Sequence, residues 1–348
     1  MLMNARQDIP VHGSVYPPVG GSIYDWRGEF AKPDIPKIGD NDILQRQTGA
    51  YLATRLKPTD DLAVILGTRV SDFKGIDNTR YLDPNSPDAR QRYQQTGVVT
   101  PYAGLVYDLN DSYSLYTSYT SIYQPQMSKD IDGKILDPVQ GDSYEAGIKA
   151  EYLDGRVNAS FAVFHTEQDN VAQLVDGWGI DAIYRPTKGA TTKGFEVEVA
   201  GELSEGWNLS AGYSYNHTRD ANHDYVYGSV LQSTEPQQVA RLFSTYRLPG
   251  AWDRLTVGGG VNWQSQFFGK VYQPDPSDTV NGGHDSRITQ DGYFLVDAMA
   301  RYQFSQHLSS TLNVKNLFDK KYYTGIGNFS TGFYGEPRSL QLATRWDF

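Results

Sequence analysis

Apolar and polar residues alternate with a period of two along most of this chain. The clearest unit runs from Gly141 to Asn170. Tyr144, Ala146, Ile148, Ala150 and Tyr152 share one parity, and Glu145, Gly147, Lys149 and Glu151 share the other. Side chains of a strand point alternately to opposite faces, so one face is apolar with a tyrosine at each end and the other is charged. Asp154-Gly155-Arg156 reads as a reversing turn, because glycine tolerates positive φ. The return strand places Val157, Ala159, Phe161 and Val163 on one face and Asn158 and Ser160 on the other, with Phe164 breaking the rule. The same alternation recurs in Leu62–Val70, Tyr113–Tyr119, Phe195–Val199, Trp207–Tyr215, Leu255–Trp263, Phe294–Tyr302 and Leu340–Phe348.

These stretches predict about thirteen strands of about ten residues each, enough to cross a bilayer when tilted. Their connections differ systematically in length. Those near 57–61, 109–112, 154–156, 204–206, 249–252 and 304–307 are short. Those near 75–93, 125–140, 170–190, 220–236, 271–290 and 319–335 are long. A soluble sandwich alternates its side chains too, but has no reason to sort its connections this way. The pattern predicts an all-β fold, a transmembrane antiparallel β-barrel of the outer-membrane receptor type, with short turns inside the cell envelope and long loops outside. Residues 1–41, rich in Gly and Pro, read as an extracellular loop and barrel entry around a short Tyr24-Asp25-Trp26 piece, and residues 42–348 as the barrel. An odd strand count that ends on the inner side means that the chain enters partway round a larger barrel.

Composition adds further constraints. Only 39% of residues are hydrophobic and no run approaches the roughly 20 apolar residues of a membrane helix, which a barrel does not need. The chain has 25 Tyr, 14 Phe and 6 Trp, and amphipathic rings concentrate at membrane–water interfaces. Its net charge of −10, without clustered Lys and Arg, argues against nucleic acid as a partner. The absence of cysteine excludes disulfide scaffolds and thiolate metal sites. The start, MLMNARQDIP, lacks the basic and apolar regions of a signal peptide, so the chain reads as the C-terminal part of a longer exported protein.

Three segments together resemble one known family: GDSYEAGIKAEYLDGRVNASFAVFHTEQDN (141–170), VTPYAGLVYDLNDSYSLYTSYTSIYQPQ (99–126) and LNVKNLFDKKYYTGIGNFSTGFYGEPRSLQLATRWDF (312–348). They are similar to TonB-dependent siderophore receptors, nearest the ferric-coprogen and ferripyoverdine group. The resemblance covers about residues 42–348, with Asn316-Leu317-Phe318-Asp319, Tyr322-Tyr323 and the terminal Phe348 as its closing signature. It implies ~22 strands around a plug, of which about nine strands and the plug are not in this chain. It implies energy-coupled uptake of a ferric siderophore across the outer membrane of a Gram-negative bacterium, with the TonB complex acting through the missing N-terminal plug. It also implies that Trp346 and Phe348 are read by the outer-membrane assembly machinery. Phe348 is equally the last residue of the lipid-facing row.

Loop aromatics are the candidate ligand contacts: Trp178, Tyr184, Tyr225, Tyr227, Tyr272, Phe329, Phe333 and Tyr334. A ferric siderophore has a bulky organic rim that suits flat rings and a few polar donors. The same rings also serve loop packing and interfacial girdles. No cofactor is expected, iron being the chelated cargo. The six histidines are scattered, and Asp130-Ile131-Asp132-Gly133 lacks the later ligands of a calcium loop, so it reads as a turn. Glu196 and Glu198 sit amid other charges with no nucleophile, which argues against an enzyme. A passive diffusion barrel, which would not depend on proton-motive force, and a macromolecule-binding surface barrel are the other readings of the same wall.

Overall fold

In the computed structural model, which describes residues 2–10, 37–86, 88–176, 182–220, 235–274, 283–327 and 331–348, strands dominate. In chain order they are β1 (Leu2–Pro10), β2 (Lys37–Leu56), β3 (Leu62–Tyr81), β4 (Ala89–Asn110), β5 (Tyr113–Gln124), β6 (Val139–Tyr152) and β7 (Val157–Asp169). There follow β8 (Val171–Asp176), β9 (Ile183–Thr187), β10 (Ala190–Ser204), β11 (Trp207–Asp220), β12 (Gln238–Arg247), β13 (Leu255–Gln264), β14 (Phe267–Pro274) and β15 (Gly283–Gln290). The last are β16 (Tyr293–Gln303), β17 (Leu308–Lys315), β18 (Tyr323–Gly327), β19 (Thr331–Tyr334) and β20 (Ser339–Trp346).

Among the described residues, fourteen strands make one antiparallel sheet in the order β1-β2-β3-β4-β5-β6-β7-β10-β11-β12-β13-β16-β17-β20. Each wall strand pairs with the next wall strand of the sequence, as in an up-and-down barrel. β8–β9, β14–β15 and β18–β19 are two-stranded hairpins outside the sheet. The sheet is open: β1 and β20 are its edges, and Thr48–Leu56 of β2 pairs with β3 alone because β1 meets β2 only from Arg46 upward.

Register turns the alternation into continuous rows. Tyr113, Ala150, Ala159, Val199, Ala211, Leu242, Val261 and Val296 lie opposite one another across eight strands. Two residues along, Leu115, Ile148, Phe161, Val197, Tyr213, Ala240, Trp263 and Phe294 form a second row. Leu115, Phe161, Val197, Leu242 and Phe294 of these rows are exposed. A band of exposed apolar side chains is unfavourable in water and is what a lipid-facing wall requires. Rings flank the band: Tyr113 and Tyr152 meet edge-on at 5.8 Å at the short-turn end, and Tyr119–Tyr144, Phe195–Tyr215 and Trp263–Phe294 lie within 5.3–6.1 Å at the other.

The short turns are locally encoded. Leu153, Asp154 and Gly155 take φ of 54°, 56° and 83°. Asn110 Oδ1 accepts from the amides of Ser112 and Tyr113 at 2.9 and 3.0 Å, and Glu202 Oε1 accepts from Gly206 N at 2.8 Å. Such side-chain-to-backbone bonds stand in for the ladder where it ends.

Several expectations need correction. Leu2–Pro10, read as loop, is a strand, so the sheet has fourteen strands in place of about thirteen. Its segment lacks alternation because backbone pairing and the Arg6–Asp40 ion pair (2.8 Å) hold it. β2 starts at Lys37 instead of Asp42. The long polar segment 75–93 is mostly paired strand: β3 runs on to Tyr81 and β4 starts at Ala89. At about 3.3 Å per residue these 20- and 22-residue strands reach well past a hydrocarbon core of about 30 Å. Beyond the lipid, outward positions need not be apolar, so the pattern that marks a strand disappears while its hydrogen bonds continue.

Phe164 also finds its reason. It lies on the lumen parity over Gly194 of β10, where an added Cβ would stand 2.6 Å from the ring and 2.1 Å from Tyr215 O. Tyr116 covers Gly147, Tyr102 covers Gly67, and Tyr93 covers Gly75 in the same way. Paired glycine and ring fill one another's space across neighbouring strands.

Candidate functional site at the outer rim

The side of the sheet opposite the short turns carries the long connections. Tyr184 lies on β9 opposite Leu174, and its amide donates to Lys129 O at 2.8 Å, tying this hairpin to the 125–138 segment. That segment turns at Asp130, whose Oδ1 accepts from the amides of Asp132 and Lys134 at 3.0 and 2.8 Å, in keeping with the turn expected there. Its Leu136 is buried, and Leu136 O accepts from Gln95 Nε2 of β4 at 3.1 Å. Tyr272 is placed on β14 opposite Asp285. Phe333 and Tyr334 share β19 and are 60% and 67% exposed. Trp178, Tyr225, Tyr227 and Phe329 lie outside the described residues.

The structure therefore brings Phe333 and Tyr334 together on one hairpin and places Tyr184 on another. Tyr323, which the alternation alone does not assign to the site, completes the first group. Its ring lies 4.7 Å from that of Tyr334, and its hydroxyl donates to the Tyr334 hydroxyl at 3.3 Å. The β18–β19 hairpin thus offers a tilted tyrosine pair and an exposed phenylalanine.

Beneath this platform is a small core. Phe267, Tyr293, Tyr322 and Ile326 are buried together, with the rings of Tyr293 and Tyr322 at 4.6 Å, and Ile288, Leu295 and Tyr323 pack around them. Burial pushes the Tyr322 hydroxyl above the ordinary phenol range. The cluster joins β14–β15, β16 and β18, so both hairpins are seated on the wall and on each other.

Asn316 is the hinge-pin of the arrangement. It is buried, takes φ of 48°, and uses its whole amide. Nδ2 donates to Lys320 O at 2.9 Å and Glu336 O at 3.1 Å, while Oδ1 accepts from Lys320 N at 2.8 Å. Its own amide donates to Asp297 Oδ1 at 2.9 Å. Asp319 Oδ1 then accepts from Arg338 N at 2.9 Å. The Asn316-Leu317-Phe318-Asp319 motif is therefore a built turn that fixes both roots of the β18–β19 hairpin. Asparagine suits it because it tolerates left-handed backbone and bonds in both directions.

The inner face of the wall is polar. Lys149, Ser160, Glu198, Gly212, Arg241 and Asn262 lie opposite one another in register. Glu196, Glu198, Gly212, Ser214, Val239 and Arg241 line a shallow hollow of about 230 Å³. Nearby, Tyr116 donates to Glu145 Oε1 at 2.6 Å with Lys149 Nζ 5.1 Å from its ring centre. Trp346 and Phe348 stay exposed at the β20 edge.

Comparison with known proteins agrees with this architecture. A family model described as TonB dependent receptor-like, beta-barrel matches residues 6–317. The ferric-pyoverdine 358 receptor of Pseudomonas putida is 43% identical over 97% of this chain, which covers 40% of that protein. The ferripyoverdine receptor of Pseudomonas aeruginosa is 41% identical over 93% of this chain and 38% of its own length. The crystal structure of the Pseudomonas aeruginosa outer-membrane ferripyoverdine receptor bound to ferripyoverdine superposes with a TM-score of 0.76 at 40% identity, over 93% of this chain and 41% of that one. The chain thus spans about 40% of the length of the curated relatives it matches.

Proposed function

Since the chain belongs to the TonB-dependent receptor β-barrel family, we propose that it supplies part of the wall and outer mouth of a ferric-siderophore receptor in the outer membrane. The observation that carries the reading to a site is the β18–β19 hairpin, where Phe333, Tyr334 and Tyr323 are held on a packed base. The names of the relatives point to a ferric complex of the pyoverdine type as the cargo. Flat rings cover the organic rim of such a complex, and tyrosine hydroxyls bond its polar edge. Nothing in this role alters the ligand covalently, so the protein acts as a receptor and not as an enzyme.

In this reading the fourteen strands belong to a ~22-stranded wall. The polar inner row, with Glu196, Glu198 and Arg241, faces the plug through which TonB would act. Trp346 and Phe348 at the β20 edge form the assembly signal. The test is titration of ferric pyoverdine into the chain in detergent micelles. Replacing both Phe333 and Tyr334 by Ala weakens binding by about tenfold or more, the worth of one or two aromatic contacts of about 1 kcal/mol each. Unchanged affinity removes the hairpin from the ligand site.

A further inference from the structure

The inner face of β2–β4 continues beyond the lipid and changes character there. On β3, Gly67, Gly75 and Asp77 share the lumen-facing parity. Asp77 stands seven residues, or roughly 23 Å of strand, beyond Val70 of the outward apolar band, at the level of the outer mouth. Its partners in register are Ile43 of β2 and Gln91 of β4. One rung deeper lie Gln45, Gly75 and Tyr93, and one rung higher Asn41, Thr79 and Ala89. Asp77 is the one charged group on these three rungs. Among the described residues it forms no ion pair.

Three oxygens of this patch have no donor. Asn41 Oδ1, Asp77 Oδ1 and Tyr93 Oη are shielded from solvent, and no hydrogen bond reaches any of them. Such acceptors are costly until a donor arrives. Register and ring packing bring the three together. Tyr93 is only 4% exposed, and its ring lies across Gly75 and stacks on Phe73 at 5.9 Å. The missing Cβ of Gly75 thus lets a ring borne by β4 carry its hydroxyl over β3, the strand that bears Asp77. Asn41 stands diagonally across from Asp77 on β2. Asn41 and Asp77 are half-buried and not sealed, so a slender arm of a ligand can enter beside them.

The patch lacks one positive charge and a set of N–H donors. We propose that Asn41, Asp77 and Tyr93 form a subsite for a primary ammonium group on the organic rim of the ferric siderophore. An ammonium brings three donors and one positive charge, against three unpaired oxygens and one carboxylate. A divalent metal ion suits the patch less well, because one carboxylate with two neutral oxygens falls short of its coordination. The inference rests on the siderophore reading of the outer mouth. It adds the class of cargo that the mouth prefers, a complex with a free amine over its neutral counterpart.

The probe is a ferric pyoverdine that carries a free side-chain amine, titrated into the full chain in detergent micelles before and after N-acetylation. Acetylation removes the charge and leaves the iron complex intact. Wild type binds the free amine about tenfold or more tighter than the acetylated form, the worth of one charge-assisted hydrogen bond. Asp77→Asn, which keeps the shape, binds both forms alike, at the level of the acetylated form on wild type. Tyr93→Phe, which keeps the ring over Gly75, narrows the preference several-fold. Phe333→Ala/Tyr334→Ala weakens both forms equally and keeps the preference, so loss of the platform and loss of the subsite are read apart. The proposal is overturned if wild type binds the two forms alike, or if Asp77→Asn retains the preference. Should Asp77→Asn fail to fold, an unchanged preference in Tyr93→Phe overturns it. If wild type binds neither form, the siderophore reading falls and the subsite with it, whereas tight binding without preference removes the subsite alone.

Discussion

Replacing Asn316 by Ala should open the outer mouth without touching any ligand-facing ring. The side chain makes three hydrogen bonds at 2.8–3.1 Å from a buried position. At about 1 kcal/mol each their removal amounts to about 3 kcal/mol, and it leaves the Lys320 and Glu336 carbonyls without that donor. Alanine at a φ of 48° adds about 1 kcal/mol. A local destabilisation of about 4 kcal/mol corresponds to roughly a thousandfold faster opening-limited exchange. Hydrogen exchange of the chain in micelles reads this at the amides of Gly335 and Arg338, which donate to Tyr322 O and Asp319 Oδ1. Asn316→Gly, which relieves the backbone strain but does not restore the bonds, should exchange several-fold more slowly than Asn316→Ala. The amides of β6 and β7 serve as the reference. If Gly335 and Arg338 exchange within tenfold of wild type in the alanine variant, Asn316 does not hold the hairpin and the reasoning fails.

Other consequences can be measured on the same material. The Lys37 and Arg6 contacts hold the Asp40 carboxyl down at about 2, against an ordinary value of 3.8. A depressed carboxylate stabilises above its unfolded pKa and loses that contribution as pH falls, so the Arg6–Asp40 tie between β1 and β2 should weaken between about pH 4 and pH 2 while the backbone ladder of β1 remains. Protease access to Leu2–Pro10 checks this, and Asp40→Asn should remove the pH dependence. Gly194→Ala, whose Cβ meets Tyr215 O at 2.1 Å, should lower stability to denaturant by about 2–3 kcal/mol. Gly212→Ala, whose nearest neighbour is 3.8 Å away, should change it by less than about 0.5 kcal/mol, and equal midpoints for the two would refute the role given to close approach.

The wall was legible because lipid demands an apolar residue at every second position. Tyr144–Tyr152 and Val157–Val163 show this on β6 and β7, and the tyrosine ends and glycine turn fall where the pattern puts them. Legibility stopped where lipid stops. The outer halves of β2–β4 and all of β1 are held by backbone bonds and ion pairs, neither of which imposes a period. The rim was legible only as a set of rings. Phe333 and Tyr334 were named, but their partner Tyr323 and the buried Tyr322 needed the hairpin register and the Asn316 turn to be seen.

The glycine–ring pairs have a consequence for the bore. A tyrosine or phenylalanine standing upright on an inner wall narrows the passage by the length of its ring. Tyr102, Tyr116 and Phe164 instead lie flat in the gaps left by Gly67, Gly147 and Gly194 on the adjacent strands. Each contributes only the thickness of an aromatic plane, and presents its face in place of its edge. At these three places the lining is therefore low in relief, and a single glycine-to-alanine exchange on one strand would raise a ring borne by the strand beside it.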